Sequence, residues 1–381
     1  MHGTAVLHLL VDALSVNNLS GRHVLLGHLH ELAKKVSGQY RLSLIVSEDN
    51  SDIIEDRPDN VAVLDERPPS DWRRRFAWAQ LNAHRLSGKY QIDLIFSPSG
   101  MLGPGWGRPQ IVLAQNPWPF VRGLHRGSRE QLKAMAQRHA FQNAQRRALT
   151  MVFNSQFMKQ LYERTFGPPL AHAVAYQGVD CRLLTVGARA APIDSRRPTI
   201  LTVSVMARHK NVEALVAAFA RVRSSVAGAR LVIAGHWPDT SYRREIEAQV
   251  AGLALKGSVS FLGHVDRSKL QELYAGARLF CMFSRCESFG IPAIEAQAFG
   301  TPSVVCEGTA APEVAGGGGF VVPANDVGAA ADVMIRMLND DSAAVEASAR
   351  ARRNAARFEW SRVSEPLVGA FQAIAERIDA T

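Results

Sequence analysis

Apolar residues fall along this chain in two alternating rhythms. Short aliphatic runs at 5–11, 42–46, 94–96, 111–114 and 151–153 read as buried strands, and five more at 199–203, 231–234, 259–262, 279–283 and 303–305 repeat the pattern. Between them lie stretches with the three-or-four spacing of one buried helix face. The clearest covers 211–226, where Val212, Leu215, Val216, Phe219, Val222 and Val226 share a side. A last helix at 360–378 would bury Val363, Leu367, Phe371 and Ile374. Regular alternation of strand and helix predicts an α/β protein with parallel sheets covered on both faces. The segment 184–198, with small residues, Pro192 and Arg196-Arg197-Pro198, precedes a fresh strand and reads as a seam. Two doubly wound domains are therefore expected, 1–186 and 187–360, with the helical tail 361–381. Their ligands should bind beyond the carboxyl ends of the strands.

Composition sharpens this only a little. The 381 residues, 47% hydrophobic and 21% charged, are too many for one core and too apolar for disorder. No apolar run approaches the roughly 20 residues that cross a bilayer. The N-terminus lacks a basic region ahead of its short apolar run, so no signal peptide is expected, and the expected location is the cytoplasm or the inner face of the plasma membrane. Four cysteines, scattered at 181, 281, 286 and 306, suit small buried hydrophobes, not a disulfide framework. The net charge of +9, with clusters at Arg73–Arg75 and along Lys133–Arg147, suits an anionic partner. No nucleic-acid motif accompanies it.

The chemistry concentrates in Glu287-Ser-Phe-Gly-Ile-Pro-Ala-Ile-Glu295. This stretch follows an expected strand and opens a short helix, with Pro292 in its first turn and Gly300 and Pro302 ending it. The amides of Phe289, Gly290 and Ile291 would stand at the positive end of the helix, where Gly290 lets an anion approach the backbone. Such an arrangement cradles phosphate. Glu287 and Glu295 bracket it without touching it, and each would accept hydrogen bonds from sugar hydroxyls.

This stretch resembles the paired-glutamate signature of retaining glycosyltransferases of the GT-B fold, two Rossmann-like domains facing a cleft, and especially of glycosyltransferase family 4. Further matching pieces are Ala207-Arg-His-Lys-Asn211, Leu231-Val-Ile-Ala-Gly235, Val259-Ser-Phe-Leu-Gly-His-Val265, Leu273-Tyr-Ala-Gly-Ala277, Ala298-Phe-Gly-Thr-Pro302 and Pro312-Glu313-Val314. Phe153-Asn-Ser155 and Gln177-Gly-Val-Asp180 resemble the approach to the interdomain linker. The resemblance implies that Lys210 neutralises the donor phosphates, Glu287 holds the transferred sugar and Glu295 the ribose. It places the backbone of Phe289 to Ile291 on the diphosphate and Gly263 to Val265 beside the base. It also implies a C-terminal helix crossing back to the N-terminal domain. One departure stands out: the arginine that often precedes the lysine by five residues is Val205 here, and Arg208 is either its substitute or a surface residue.

In the first half, Asn17-Asn-Leu-Ser-Gly21 takes the place of a glycine-rich phosphate loop. Gly21 offers an amide to the donor, or Ser20 caps the following helix; both readings stand. Where the family carries a histidine near the reacting carbon, this chain has Gln115 or Asn116, and the block-wise match favours neither. An amide shuttles no proton, so no general base is expected, and the leaving diphosphate would take the acceptor's proton. His23, His28 and His30 lack the spacing of a metal site, and no metal or other cofactor is expected. The expected partners are a nucleotide-sugar donor, a glycan or polyprenyl-linked acceptor and an anionic membrane surface, with cell-surface polysaccharide as the product. The runner-up readings are a nucleotide-sugar 2-epimerase of the same architecture and a non-catalytic nucleotide-sugar-binding protein.

Overall fold

A computed structural model describes residues 6–121, 123–125 and 127–379. The chain forms two compact units, Met1–Gly178 with Trp360–Thr381, and Val179–Glu359. In the first, the described strands are β1 (Leu7–Asp12), β2 (Tyr40–Ile45), β3 (Val61–Val63), β4 (Leu94–Ser97), β5 (Gln110–Ala114), β6 (Thr150–Phe153) and β7 (His172–Val174). They form one parallel sheet in the order β3-β2-β1-β4-β5-β6-β7. Helices α1 (Leu19–Lys35), α2 (Trp72–Lys89), α3 (Ser128–Arg147) and α4 (Gln156–Phe166) cover it. Every residue of β1 is buried, which is why that strand reads as a continuous apolar run and not an alternating one. The expected start of this strand at Ala5 lies outside the described residues.

The second unit begins with α5 (Cys181–Ala188) and carries a parallel sheet in the order β10-β9-β8-β11-β12-β13. Its strands are β8 (Thr199–Val203), β9 (Arg230–Ala234), β10 (Val259–Gly263), β11 (Leu279–Met282), β12 (Ser303–Cys306) and β13 (Gly319–Val322). Helices α6 (Val212–Ser225), α7 (Thr240–Gly252), α8 (Arg267–Gly276) and α9 (Ile291–Ala298) follow strands β8 to β11 in turn. The expected face of α6 is buried as a whole, from Val212 to Phe219 and Val222.

The chain leaves the first unit at Gly178 and returns at Trp360, some residues ahead of the seam read from composition. The reason is α5, which packs on α9 so tightly that a Cβ on Gly187 would lie 2.3 Å from the Ala298 carbonyl oxygen. The ends of the second unit meet, Val179 N donating to Phe358 O at 2.7 Å. The tail is two helices, not one. Trp360–Val363, with Val363 buried, stops short of Pro366, and Glu365–Asp379 continues, burying Leu367, Phe371 and Ile374 in the first unit's core. Tyr40 donates its hydroxyl to Phe371 O at 2.8 Å. Trp360 fills a notch cut by two glycines, where a Cβ on Gly27 or Gly178 would fall 2.2 or 2.5 Å from its ring.

Candidate functional site

In the second sheet, strand order runs outward from β8 to β10, then restarts on the other side at β11. A parallel sheet opens a crevice at such a switch, and the loops after β8 and β11 both enter it. After β8 the chain makes a 3-10 turn, Arg208–Lys210, closed by Asn211 in the left-handed conformation at φ 56°. Asparagine tolerates that region better than most side chains. It is fixed there by burial and by Nδ2 donating to Ala324 O at 3.3 Å.

After β11 the loop ends at Gly290, whose φ of 105° sits directly before α9. A Cβ there would also lie 2.6 Å from Met282 Cε, so space and backbone both require glycine. Pro292 occupies the first turn of α9, and the amides of Gly290 and Ile291 stand at its positive end. Phe289 turns inward, buried edge-on against Phe358 at 5.7 Å.

The two loops meet through their side chains. Lys210 Nζ donates to Glu287 Oε2 at 2.7 Å. Beside them burial, reinforced by the Lys210 charge, holds the His209 imidazole down to about 4, so it is neutral near pH 7. Further along α9, Glu295 Oε2 accepts the hydroxyl of the buried Tyr274 at 2.9 Å. Burial first and Glu295 second push that phenol well above its ordinary value, so it remains a donor. The neighbouring strand ends close up around glycine. Gly235 N donates to Gly263 O at 2.7 Å, and a Cβ on Gly235 would lie 1.7 Å from Ser204 O. Gly263 itself has φ 68°, and Val265 follows it half-buried.

Arg208 stands differently from the expected phosphate ligand. It turns to α7, donating from Nε to Asp239 at 3.1 Å and from Nη1 to Glu245 at 2.6 Å, with its guanidinium 4.8 Å over the Tyr242 ring. Glu245 and Asp239 hold it charged, and the pair it serves already neutralises it. Val205, where the family places an arginine, is exposed.

In the first unit the structure corrects one expectation. The α1 N-cap is Asn18, not Ser20, and its Oδ1 takes the Gly21 amide at 2.6 Å, so that amide is not offered to a phosphate. Asn116 Oδ1 accepts from Trp118 N at 3.0 Å, while Gln115 Nε2 donates to Pro98 O at 2.9 Å. His28 is buried against Ser364 Oγ at 2.9 Å and His23 donates toward Gly178 O, both packing on Trp360. Arg75, one of the basic cluster, is buried and bound to Asp49 and Ser70 O.

The family of group 1 glycosyl transferases matches residues 188–358, the whole of this crevice. Over that span the chain is similar to the group 1 glycosyl transferases. O-antigen chain mannosyltransferase B of Escherichia coli is 31% identical over 182 residues, 46% of this chain and 45% of that protein. The chain spans about half the length of the curated relatives it matches. Among solved structures, sucrose-phosphate synthase from Thermosynechococcus elongatus superposes with a TM-score of 0.72 at 19% identity, covering 98% of this chain and all of that one. Anabaena HepE in complex with UDP and glucose gives 0.72 at 19%, covering 96% and 100%. These likenesses show the fold: two Rossmann-like parallel-sheet units of the GT-B class.

Two features of the chain escaped the sequence. Tyr274 lies within a matched piece, but only the folded chain brings its hydroxyl to Glu295. The other is a cavity of about 1370 Å³ in the first unit, opening at that sheet's own switch between β1 and β4. Among the described residues, no helix is long and apolar enough to cross a membrane.

Proposed function

We propose that this protein is a retaining glycosyltransferase that moves a hexose from a nucleotide diphosphate-sugar to a glycan or lipid-linked acceptor in cell-surface polysaccharide synthesis. The observation that carries the proposal is the Lys210–Glu287 contact beside the α9 N-terminus, at the switch point of the second sheet. With donor present, Lys210 would turn from Glu287 to the diphosphate, and the carboxylate so released would take the sugar hydroxyls. An ammonium and a helix terminus both stabilise charge that grows on the leaving diphosphate. Glu295, aimed by Tyr274, would hold the ribose. Asn116 supplies hydrogen bonds but no base, and the departing diphosphate would accept the acceptor's proton while the acceptor attacks the same face.

The relatives' names support this reading: one is a mannosyltransferase, and one solved structure holds UDP and glucose. A thermal-shift panel of UDP, GDP, ADP and dTDP tests it. Stabilisation by one of them, scaling with concentration, is expected. Indifference to all four would sink the proposal, and sugar inversion in the free donor without transfer would replace it with an epimerase.

A further inference from the structure

Three helices of the second unit, α5, α8 and α9, end on the same two arginines. The last turn of α9 can be accounted for bond by bond. Ala296 O takes the amides of Phe299 and Thr301 at 3.0 and 3.1 Å, and Gln297 O takes that of Gly300 at 2.9 Å, a left-handed glycine closing the helix at φ 72°. That leaves the carbonyls of Ala298 and Phe299. Arg352, on the helix Asp341–Ala355, donates from Nη1 to Ala298 O at 3.4 Å and from Nη2 to Phe299 O at 3.2 Å. Arg196 adds Nη2 to Phe299 O at 2.7 Å. The same side chains serve the other two helix ends. Arg196 Nη1 donates to Ala277 O, at the end of α8, at 2.9 Å and to Thr301 Oγ1 at 2.7 Å; that hydroxyl donates on to Tyr274 O at 2.8 Å. Arg352 Nη1 donates to Gly187 O, in the last turn of α5, at 2.6 Å. A Cβ on Gly300 would lie 2.7 Å from Arg352 Nε, so the closing glycine also makes room for the guanidinium.

The chemistry of this cluster is one-sided. Arg196 is buried and Arg352 half-buried, yet among the described residues neither meets a carboxylate, and every acceptor is a carbonyl or a hydroxyl. Burial, with the like charge of Arg352 beside it, draws the Arg196 guanidinium down to about 10, so it stays charged at neutral pH. Two cations taken out of water need compensation. Here it comes from the negative poles of three helices, about half a charge each. The opposite poles of two of these helices lie at the crevice. The Gly290 and Ile291 amides open α9, and α8 opens at Asp266, directly after the Gly263–Val265 loop. Tyr274, whose hydroxyl goes to Glu295, sits in the last turn of α8, so the cluster also pins that pair.

We propose that Arg196 and Arg352 are positioning residues for the donor diphosphate: they cancel the negative pole of α9, leave its positive pole to the phosphates, and tie α8 to α9. The eight residues of α9 span about 12 Å. Across an interior of effective dielectric about 20, a unit charge at that distance changes the affinity of a doubly charged phosphate by roughly tenfold once salt screening is counted. A carboxylate beside the arginines would neutralise them and cancel that field. The role rests on the glycosyltransferase reading of the crevice and adds to it two residues that act on the ligand without touching it.

Calorimetric titration of the full chain with UDP, GDP, ADP and dTDP, and with the monophosphate and nucleoside of whichever binds, tests it. Arg352→Met keeps the aliphatic stem without the charge, and Arg352→Lys keeps the charge. Arg352→Met should bind the diphosphate about tenfold more weakly, lose less for the monophosphate, and bind the nucleoside as the wild type does. Arg352→Lys should recover most of the loss. Arg196→Met should repeat the pattern; if that buried site does not tolerate the change, the half-buried Arg352 still decides, with melting curves taken without ligand to show that its variants are folded. An equal loss for all three ligands, or Arg352→Lys as weak as Arg352→Met, would overturn the proposal by reducing the pair to a staple of the fold. So would Arg352→Met protein that binds the diphosphate like wild type. Wild-type protein that binds none of the four diphosphates refutes the donor site and this role with it, whereas wild-type binding kept by the variants refutes this role alone.

Discussion

The ammonium of Lys210 and the carboxylate of Glu287, 77 residues apart in sequence, stand 2.7 Å from one another. Lys210→Ala should lower turnover about 10²–10³-fold and shrink the nucleoside-diphosphate thermal shift. Glu287→Gln should keep most of that shift while losing most turnover. Steady-state kinetics and melting curves on the two variants decide it, and a Lys210→Ala protein that shifts like wild type contradicts the phosphate role.

Arg208 should matter much less. Its guanidinium serves Asp239 and Glu245 on an exposed face, so Arg208→Gln is expected to leave the nucleotide shift unchanged and to cost under about 1 kcal/mol of stability. A nucleotide affinity that drops as far as in Lys210→Ala would restore it as a phosphate ligand.

Tyr274→Phe removes the hydroxyl that donates to Glu295 Oε2. Donor KM should rise about tenfold or more with little change in kcat, because a single aligned hydrogen bond to a charged acceptor contributes about 1.5–3 kcal/mol. A drop confined to kcat would place Glu295 at the reacting sugar instead.

Gly27→Ala puts a methyl group into the Trp360 ring. Overpacking of this kind costs about 1–3 kcal/mol, and chemical denaturation of the full chain should show it. Pairing it with Trp360→Ala should recover part of the loss; a single variant as stable as wild type would mean the tail is not seated in this notch.

Acid should loosen the first unit through His28. Burial, helped by the nearby His23, holds its imidazole down to about 3 from 6.5. Between those values the unfolded chain carries a proton there and the folded chain does not. Stability contributed by this group therefore rises with pH across that window and is lost as pH falls from 6.5 toward 3, by about 1.4 kcal/mol per pH unit. Urea midpoints at several pH values should show a shallower slope for His28→Gln, and an identical slope would refute the assignment.

Ten strands were legible, nine of them because they lie in sheet interiors and the edge strand β10 because Val259, Phe261 and Leu262 mark its five residues. The three that escaped, β3, β7 and β13, are short edge strands of three or four residues with half-exposed patterns. An edge strand owes its existence to the neighbour it pairs with, so little of it is written locally. The same division holds in the site. Gly290, Pro292 and the two glutamates share one loop and helix, and their spacing is visible in the chain itself. The partners of Arg208 lie 31 and 37 residues away, and no local pattern reports them. The Gly21 amide was claimed by a side chain three residues earlier, where two equally good caps compete within one turn. The cavity in the first unit was hidden because its walls come from four separate stretches and no helix lies between β4 and β5.

The return of the chain at Trp360 has a consequence for how the molecule is made. The first unit keeps Leu367 and Phe371 at the centre of its core, yet these leave the ribosome only after the whole of the second unit. The second unit is a single uninterrupted stretch that is whole once Glu359 has emerged. Synthesis therefore completes the two in the reverse of the order in which it begins them, and the early half waits, with one face of its sheet covered by α1 but not yet by the tail, for the late half to finish.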